Sequence, residues 1–405
     1  MSIIVQKYGG TSVATTEQRE LVCRNILDEK RRGNDVVVVV SAMGREQDPY
    51  ATDTLIDLAR REFPSPSRRD LDLLMSCGEI ISGVVLSSRL QAYGERSLVL
   101  TGMQAGIVTN TVHGDARIVR VDPTMIKRSL DEGYTVIIAG FQGITEEGQV
   151  TTLGRGGSDV TASAIGVALG AEVVDIYTDV EGIMTADPRI VQNARLLNAV
   201  TYNEICQLAR EGAKVIHPRA VEIAMEGNIP LRIRSTFTNG PGTLVGNLNR
   251  LSSSPVAIKT DHMVTGITQM PDIAQIRITS RGDYDLALKV FKSMALAEIS
   301  VDFISVNPEM IMFTVREENS GRAEEILRNI GLEPELIHNC AKVAAVGAAM
   351  TGVPGVMATV VEALNSANVD LLQTGDSYTN IWCLVRREHM EKAVKALHDK
   401  FELGN

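Results

Sequence analysis

The sequence predicts an α/β protein with a mostly parallel sheet sandwiched by helices, followed by two smaller ferredoxin-like α+β domains. Three observations support this class: apolar runs that end in small polar residues, helical patterns between these runs, and an internal repeat in the C-terminal third. Because the chain has 405 residues, it exceeds one ordinary hydrophobic core, and we expect two or three domains.

Five apolar runs are typical of strands in a parallel sheet, at 3–5, 36–40, 98–100, 135–139 and 173–177. Helical patterns cover 16–32, 80–90 and 160–169. Each run is followed by a turn rich in glycine, serine or threonine. Ligands of open α/β sheets bind beside the carboxyl ends of the strands, so we expect the site at that edge.

The central motif is the glycine-rich stretch 151–159, which precedes the helical pattern at 160–169. Backbone N–H groups at such a helix start bind anions, and glycine permits close approach. Arg155 can grip a carboxylate or phosphate with two donors, while Asp159 can orient a cation or a metal-bound water. The motif therefore suits a phosphate and an acidic substrate. A structural turn with an incidental charge pair remains the alternative for this stretch taken alone.

Other strand ends add groups suited to a phosphorylated ligand. Lys7 precedes Gly9 and Gly10, so its ammonium can lie along phosphates. Glu79 falls in or near the first turn of the predicted helix 80–90. There it either interacts favourably with the helix dipole or receives a substrate ammonium. Ser41 and Thr52 flank a polar loop long enough to fold over a ligand. Neither the Rossmann nor the Walker glycine pattern is present.

Two further stretches carry nucleotide-compatible side chains. Residues 177–189 follow the fifth predicted strand and are rich in groups that suit ribose and phosphate, although a surface turn has the same composition. Lys214 lies near a second turn and is either a phosphate ligand or a surface cation. Phosphoryl transfer demands mainly positioning and charge neutralisation, so no protein nucleophile is required.

Composition excludes several classes of protein. A net charge of −10 disfavours nucleic acid as a partner. The five cysteines are scattered without a C-x-x-C pair, so neither a disulfide framework nor a protein-held metal site is expected, and a reducing cytoplasm fits best. The N-terminus lacks a signal-peptide pattern, and no run approaches about 18 apolar residues, which predicts neither secretion nor membrane insertion.

The C-terminal third contains a repeat of about 70 residues after a linker-like stretch at 236–255. Ser-Val-Asp at 300–302 corresponds to Asn-Val-Asp at 368–370, and the apolar run 311–316 corresponds to 381–386. Each copy has the order strand, helix, strand, strand, helix. We predict domains at 1–245, 262–336 and 340–405. The two small domains either hold small molecules between them or serve structure and dimerisation.

Taken together, the motifs resemble the aspartokinase family over essentially the whole chain, with two C-terminal ACT-like domains. The resemblance rests on Lys-Tyr-Gly-Gly-Thr-Ser at 7–12, Val-Ser-Ala-Met-Gly at 40–44, Ser-Cys-Gly-Glu at 76–79, the glycine-rich stretch, and residues 177–189. It implies an amino-acid-kinase fold and Mg-ATP-dependent phosphorylation of the L-aspartate side chain to 4-phospho-L-aspartate. A related amino-acid kinase or a catalytically silent amino-acid sensor remains the alternative.

The resemblance also assigns roles to individual residues. Lys7 would stabilise the transferring phosphoryl group, and Asp159 would orient Lys7. Arg155 would bind a carboxylate of L-aspartate and Glu79 its ammonium, with Ser41 and Thr52 holding the rest. The implied ATP contacts are Lys7, Tyr8, Gly9, Gly10, Gly156, Gly157, Thr178, Asp179, Asp187, Arg189 and Lys214. Mg²⁺ would be held mainly by nucleotide phosphates and water.

Regulation is implied by the same resemblance. ACT pairs in this family bind an end-product amino acid and bias the kinase toward an inactive state. Lysine, threonine, both together or meso-diaminopimelate are the possible effectors, because the first copy departs from the usual aspartate-Pro-Gly turn at 282–285. Candidate effector contacts are Asp302, Asn307, Asn368 and Asp370. A homodimer through the ACT domains is also implied.

Overall fold

The structure is a computed structural model that describes residues 2–213, 215–247, 263–280, 285–347, 350 and 353–405. Contacts divide these residues into two compact units. The first unit comprises the described residues of 1–183, 196–209 and 214–259, and the second those of 184–195, 210–213 and 260–405.

The first unit is built on an eight-stranded sheet with the order β10-β12-β11-β9-β1-β2-β6-β3, beside a four-stranded sheet with the order β5-β4-β7-β8. The strands are β1 (Ile3–Tyr8), β2 (Asp35–Val40), β3 (Ser97–Leu100), β4 (Ile107–Thr109), β5 (Ile118–Val121), β6 (Thr135–Ala139), β7 (Gln142–Ile144), β8 (Val150–Thr152), β9 (Val173–Thr178), β10 (Ala199–Thr201), β11 (Leu231–Ser235) and β12 (Thr243–Gly246). In the larger sheet only the β11–β12 pair is antiparallel. The predicted mostly parallel sheet is confirmed.

Helices cover this sheet as the alternation of patterns predicts. They are α1 (Gly10–Val13), α2 (Thr16–Arg31), α3 (Thr52–Glu62), α4 (Arg68–Ala92), α5 (Thr124–Asp131), α6 (Gly157–Leu169), α7 (Tyr202–Arg210) and α8 (Pro218–Glu226). Helix α2 begins with a capping box in which Thr15 and Gln18 exchange hydrogen bonds. Its apolar side chains pack with the valines of β2 in one buried core.

Helix α4 corrects the predicted start of the helix around Glu79. It begins at Arg68, where Ser67 accepts a hydrogen bond from the Asp70 N–H, and it continues to Ala92. Glu79 therefore lies near its middle, and the interpretation of Glu79 as a helix-dipole residue is wrong. Because the first turns of α4 contain many charged residues, the apolar pattern of its buried face is not evident there from the sequence. Although α4 is long and apolar enough to cross a membrane, half of its most apolar stretch is buried inside the protein, as in a core helix.

The second unit contains a six-stranded sheet with the order β14-β15-β13-β16-β18-β17, in which every neighbouring pair is antiparallel. Its strands are β13 (Gly266–Thr279), β14 (Asp302–Val306), β15 (Met310–Arg316), β16 (Glu335–Val346), β17 (Gln373–Asp376) and β18 (Asn380–Arg386). Its helices are α9 (Leu286–Leu296), α10 (Glu317–Asn329), α11 (Val356–Ser366) and α12 (Met390–Lys400), with a short 3-10 helix at Arg387–His389.

The predicted repeat is visible in the element order of this unit. Each copy has the order strand, helix, strand, strand, helix, and each packs its own apolar core. The long central strands β13 and β16 pair with one another, so both copies share one sheet. Segments 184–195 and 210–213 also belong to this unit, and they interrupt the predicted continuous range 1–245. The three domain boundaries themselves stay predictions.

Candidate active site

The first unit contains a cavity of about 490 Å³ beside the carboxyl ends of β1 and β2. The loop after β2, the start of α3, the middle of α4 and the glycine-rich stretch before α6 complete its walls. Among the residues selected from sequence, those that line the cavity are Lys7, Gly10, Ser41, Thr52, Glu79, Arg155, Gly156, Gly157 and Asp159. Residues from four of the five motifs, together with Thr52, therefore meet in one cavity.

Lys7 and Asp159 form an ion pair in this cavity. The Lys7 Nζ lies 2.7 Å from the Asp159 Oδ1, and both side chains are nearly buried. The backbone N–H of His217 donates to the other oxygen of Asp159 at 3.4 Å. Lys7 is held at the end of β1 and Asp159 in the first turn of α6. The pair fixes an ammonium where an anion entering the cavity would meet it.

Glu79 presents an unpaired buried carboxylate oxygen. Its Oε1 accepts a hydrogen bond from the Ala42 N–H at 3.0 Å, whereas its Oε2 is buried without a partner among the described residues. Burial raises the pKa of Glu79 to about 8, although the hydrogen bond from Ala42 opposes that rise. A buried acceptor without a donor is costly, so this oxygen is suited to a ligand ammonium.

Glycines shape the walls next to these charged groups. A Cβ on Gly10 would lie 2.5 Å from the Ala42 carbonyl oxygen, so any side chain would displace the loop after β2. Gly156 has a φ of +69°, and its Cβ would lie 2.3 Å from the His217 Cβ. Helix α6 begins at the next residue, and the positive end of its dipole favours an anion nearby. Close backbone packing and an anion-binding helix start thus adjoin the Lys7 ammonium.

Two arginines line the cavity, Arg45 with an ion-pair partner and Arg155 without one among the described residues. Arg155 is exposed, and no hydrogen bond or ion pair joins it to another described residue. Arg45, which sequence reasoning did not select, pairs with Asp179 through an Nη2–Oδ2 distance of 3.1 Å. Thr178 donates to the other oxygen of Asp179 at 3.1 Å. Exposed pairs of this kind contribute little, roughly 0–1 kcal/mol, so Asp179 can exchange its partner readily.

Several selected residues do not line the cavity. Tyr8 has a fully buried side chain stacked on Tyr177, with ring centroids 4.6 Å apart, so only its backbone remains for an ATP contact. Asp187 and Arg189 lie in the second unit, where they form a two-pronged ion pair at 3.0 and 2.7 Å. The others are Gly9, Thr178 and Asp179. Lys214 lies outside the described residues.

The candidate effector residues lie at the surface of the second unit. Asp302 is exposed and pairs with the buried Lys342 at 2.8 Å, which also pairs with the buried Glu211 at 2.8 Å. The Asn307 side chain accepts two backbone N–H groups within its own turn. Asn368 and Asp370 are exposed. Lys342 was missed because a single lysine in an apolar strand gives no motif.

Other missed residues lie beside the cavity. Gly114 and Phe141 line it, and both belong to turns after strands, where the sequence gives only a general signal. No cluster of three or more potential metal ligands occurs within the described ranges.

Comparisons with known proteins show the family of the chain. Residues 2–235 match the amino acid kinase family, and residues 335–399 match the ACT domain. The chain is 49% identical to Aspartokinase 1 of Bacillus subtilis over 405 residues, which covers 100% of both chains. It is 41% identical to the aspartokinase of Mycolicibacterium smegmatis, covering 100% of this chain and 97% of that protein.

Solved structures give the same result. The structure of E. coli aspartokinase III in complex with aspartate and ADP (R-state) is similar with a TM-score of 0.76 and 25% identity, covering 98% of this chain and 99% of that one. Its complex with lysine and aspartate (T-state) gives a TM-score of 0.77 at the same identity and coverage. The resemblance drawn from the sequence motifs is confirmed: the chain belongs to the aspartokinases of the amino acid kinase family.

Proposed function

We propose that the cavity of the first unit is where this aspartokinase binds L-aspartate and the terminal phosphate of ATP. The supporting observation is that the unpartnered Glu79 oxygen and the Lys7–Asp159 pair line one cavity. An amino-acid substrate needs a carboxylate for its ammonium, and phosphoryl transfer needs a fixed cation for the phosphate. The reaction of the family is phosphorylation of the L-aspartate side-chain carboxylate, which yields 4-phospho-L-aspartate and ADP.

The residues of the cavity divide between the two substrates. Glu79 receives the ammonium of L-aspartate, and Arg155 binds one of its carboxylates with two donors. Ser41 and Thr52 hold the remaining polar atoms from the loop and helix that border the cavity. Because Arg155 is exposed and without a described partner, it can turn to the substrate without first breaking an ion pair.

The phosphoryl group is stabilised by charge and by backbone donors. The side-chain carboxylate of L-aspartate is already ionised near neutral pH, so it attacks the γ-phosphorus without a strong general base. Lys7 neutralises charge on the transferring group, and Asp159 holds the Lys7 ammonium in place. The N–H groups of Gly9, Gly10 and Gly156 support the phosphate oxygens. The N–H of Gly157, which donates to the Gly154 carbonyl at 3.0 Å, would join them by exchanging that bond. Closure of the loop 41–52 would shield the mixed-anhydride product from water.

ATP is the phosphoryl donor, and we assign Mg²⁺ to the nucleotide phosphates and water. Mg²⁺ would neutralise phosphate charge during transfer. For the rest of the nucleotide we retain Tyr8 through its backbone, Thr178, Asp179, Asp187, Arg189 and Lys214 as proposed contacts.

We assign feedback control to the second unit, which contains the matched ACT domain. The T-state structure of E. coli aspartokinase III holds lysine with aspartate, which supports an amino-acid effector here. Lysine, threonine and meso-diaminopimelate remain the candidates, and Asp302, Asn307, Asn368 and Asp370 the candidate contacts. We further propose a cytoplasmic homodimer that pairs through the ACT domains.

The test is ADP release with Mg-ATP and L-aspartate, combined with hydroxylamine trapping of the acyl phosphate. We expect hydroxamate formation with L-aspartate, its loss on removal of Mg²⁺, and inhibition by one of the three amino acids, added singly or in pairs. Turnover with L-glutamate instead would indicate a related amino-acid kinase. ATP binding without turnover would indicate a catalytically silent sensor. Inhibition retained in Asp302→Ala would argue against the proposed effector contact.

A further inference from the structure

Asp72 is a fully buried carboxylate that the proposed reaction does not use. It accepts three hydrogen bonds from outside its own helix. The Thr152 Oγ1 donates to its Oδ1 at 2.5 Å, while the His113 Nδ1 and the Gly114 N–H donate to its Oδ2 at 2.8 and 3.1 Å. Such a dense set of donors on one buried group indicates that the surrounding chain is organised around it.

Asp72 and Glu79 lie on the same face of α4. They are separated by seven residues (79 − 72), which is close to two helical turns, and both are buried. Glu79 lines the cavity directly. One helix therefore carries a cavity carboxylate and, two turns earlier, the buried acceptor of the three hydrogen bonds.

The three donors belong to two segments that form the cavity wall. Thr152 is the last residue of β8, and the loop that follows carries Arg155 into the cavity. Gly114 lines the cavity itself, and His113 precedes it in the chain. Asp72 therefore contacts both segments of the cavity wall, although it does not line the cavity itself.

Further contacts tie these two segments to each other. The Ala116 N–H donates to the Thr152 carbonyl at 2.9 Å, and Arg219 donates to both the Leu153 carbonyl and the Asp115 carboxylate, at 2.9 and 3.0 Å. A Cβ on Gly154 would lie 2.7 Å from the Asp115 Oδ1, so the segments are in close contact. A displacement at Asp72 would therefore be transmitted to both.

We propose that Asp72 is a positioning residue for phosphoryl transfer, holding the Gly114 and Arg155 segments in the geometry that receives L-aspartate. The inference rests on the proposed role of Arg155 as the ligand of a substrate carboxylate. A carboxylate offers only acceptors to its three donors, whereas an amide of the same shape places an NH₂ group against at least one of them. Asp72→Asn therefore loosens the wall while conserving volume.

The experiment measures steady-state kinetics of Asp72→Asn, Arg155→Ala and the double variant, varying each substrate separately. For Asp72→Asn we expect the KM for L-aspartate to rise about 10- to 100-fold and the KM for ATP to change less than about threefold. If Asp72 acts through Arg155, the two substitutions are non-additive. In the Arg155→Ala background, Asp72→Asn should then raise the KM for L-aspartate by less than about twofold.

Asp175→Asn is the matched control. Asp175 is also fully buried in the first unit and is held by Arg232 at 2.6 and 2.8 Å, but it does not line the cavity. Its substitution should lower the Tm without a selective change in the KM for L-aspartate. Thr152→Val is a second test variant that is less disruptive than Asp72→Asn. It removes one donor only, and it should show the same selectivity with a smaller rise if Asp72→Asn does not fold.

Three outcomes would overturn the inference alone while Arg155→Ala still raises the KM for L-aspartate. These are an unchanged KM for L-aspartate in Asp72→Asn and Thr152→Val, an equal rise of both KM values, and additive effects in the double variant. If Arg155→Ala itself leaves the KM for L-aspartate unchanged, the proposed role of Arg155 is wrong, and this inference is overturned with it.

Discussion

The Lys7 ammonium lies 2.7 Å from the Asp159 carboxylate, although β1 and α6 are separated by most of the first unit in sequence. Both side chains are nearly buried, so each depends on the other for compensation of its charge. The pair joins the first motif of the chain to the glycine-rich motif. Removing the charge of Asp159 should therefore leave the Lys7 ammonium without the group that holds it in place.

Asp159→Asn should lower kcat for aspartate phosphorylation by about 100- to 1000-fold, the usual cost of misplacing one group that stabilises transition-state charge. Hydroxamate formation at saturating substrates measures the effect. The thermal midpoint serves as the control for folding. A variant that retains kcat within about threefold of the parent would contradict the assigned role.

Glu79 should make binding of L-aspartate depend on pH. Burial raises its pKa to about 8, and only the ionised carboxylate attracts the substrate ammonium. We therefore expect kcat/KM for L-aspartate to rise by up to about tenfold per pH unit as the pH increases towards 8, and then to level off. Glu79→Gln should remove this slope and lower kcat/KM at every pH. A slope that persists in Glu79→Gln would assign the titration to another group.

The same carboxyl group links stability to pH. Since the pKa of Glu79 in the folded protein lies above its ordinary value of 4.5, the folded state holds an extra proton between pH 4.5 and about 8. The extra proton stabilises the folded state. This stabilisation is fully present below pH 4.5 and is lost as the pH rises through the folded pKa of about 8. The free energy of unfolding, obtained from denaturant titrations at several pH values, should therefore depend differently on pH in the parent and in Glu79→Gln between pH 4.5 and about 8. Parallel pH profiles would contradict the prediction.

Gly156 and Gly170 offer a matched pair at the two ends of α6. Both have positive φ, but a Cβ on Gly170 meets nothing within 4 Å, whereas one on Gly156 overlaps His217. Gly170→Ala should cost about 1 kcal/mol of unfolding free energy from backbone strain alone and leave the KM for ATP unchanged. Gly156→Ala should cost about 2–4 kcal/mol and raise that KM, because overpacking against His217 adds to the backbone strain and the loop must move. Equal costs would contradict the close packing at His217.

Lys342 should be important for the stability of the second unit. Its ammonium is buried and pairs with Glu211 and Asp302 at 2.8 Å each, and it lies 4.7 Å from the centroid of the Trp382 ring. Lys342→Met leaves the buried Glu211 without its cation and should cost about 3–5 kcal/mol. Adding Glu211→Gln should recover part of that loss. Urea unfolding measures both, and a double variant less stable than Lys342→Met would refute the pairing argument.

The sequence by itself determined the fold class, the family, five strands of the first unit and nine of the residues that line the cavity. Buried valine runs require strands covered on both faces, and the glycines of the turns at Gly10 and Gly156 have no room for a side chain. The valine runs and the glycine motifs are local patterns and can be read from the sequence, although the contacts of Gly10 with Ala42 and of Gly156 with His217 come from the fold. The repeat was readable for the same reason, because each copy carries its own periodic pattern and its own core.

Tertiary structure alone decided which groups are buried, which are paired, and which chain segments belong together. Glu79 lies in mid-helix, because the apolar face of α4 is continuous although its first turns are charged. Tyr8 and Asp187 lie in motifs that are typical of nucleotide binding. In the folded chain, however, Tyr8 stacks on Tyr177, and Asp187 belongs to the second unit. Asp72 and Lys342 give no local signal, since their partners come from distant segments. Burial and pairing depend on such contacts, and only the folded chain brings them together.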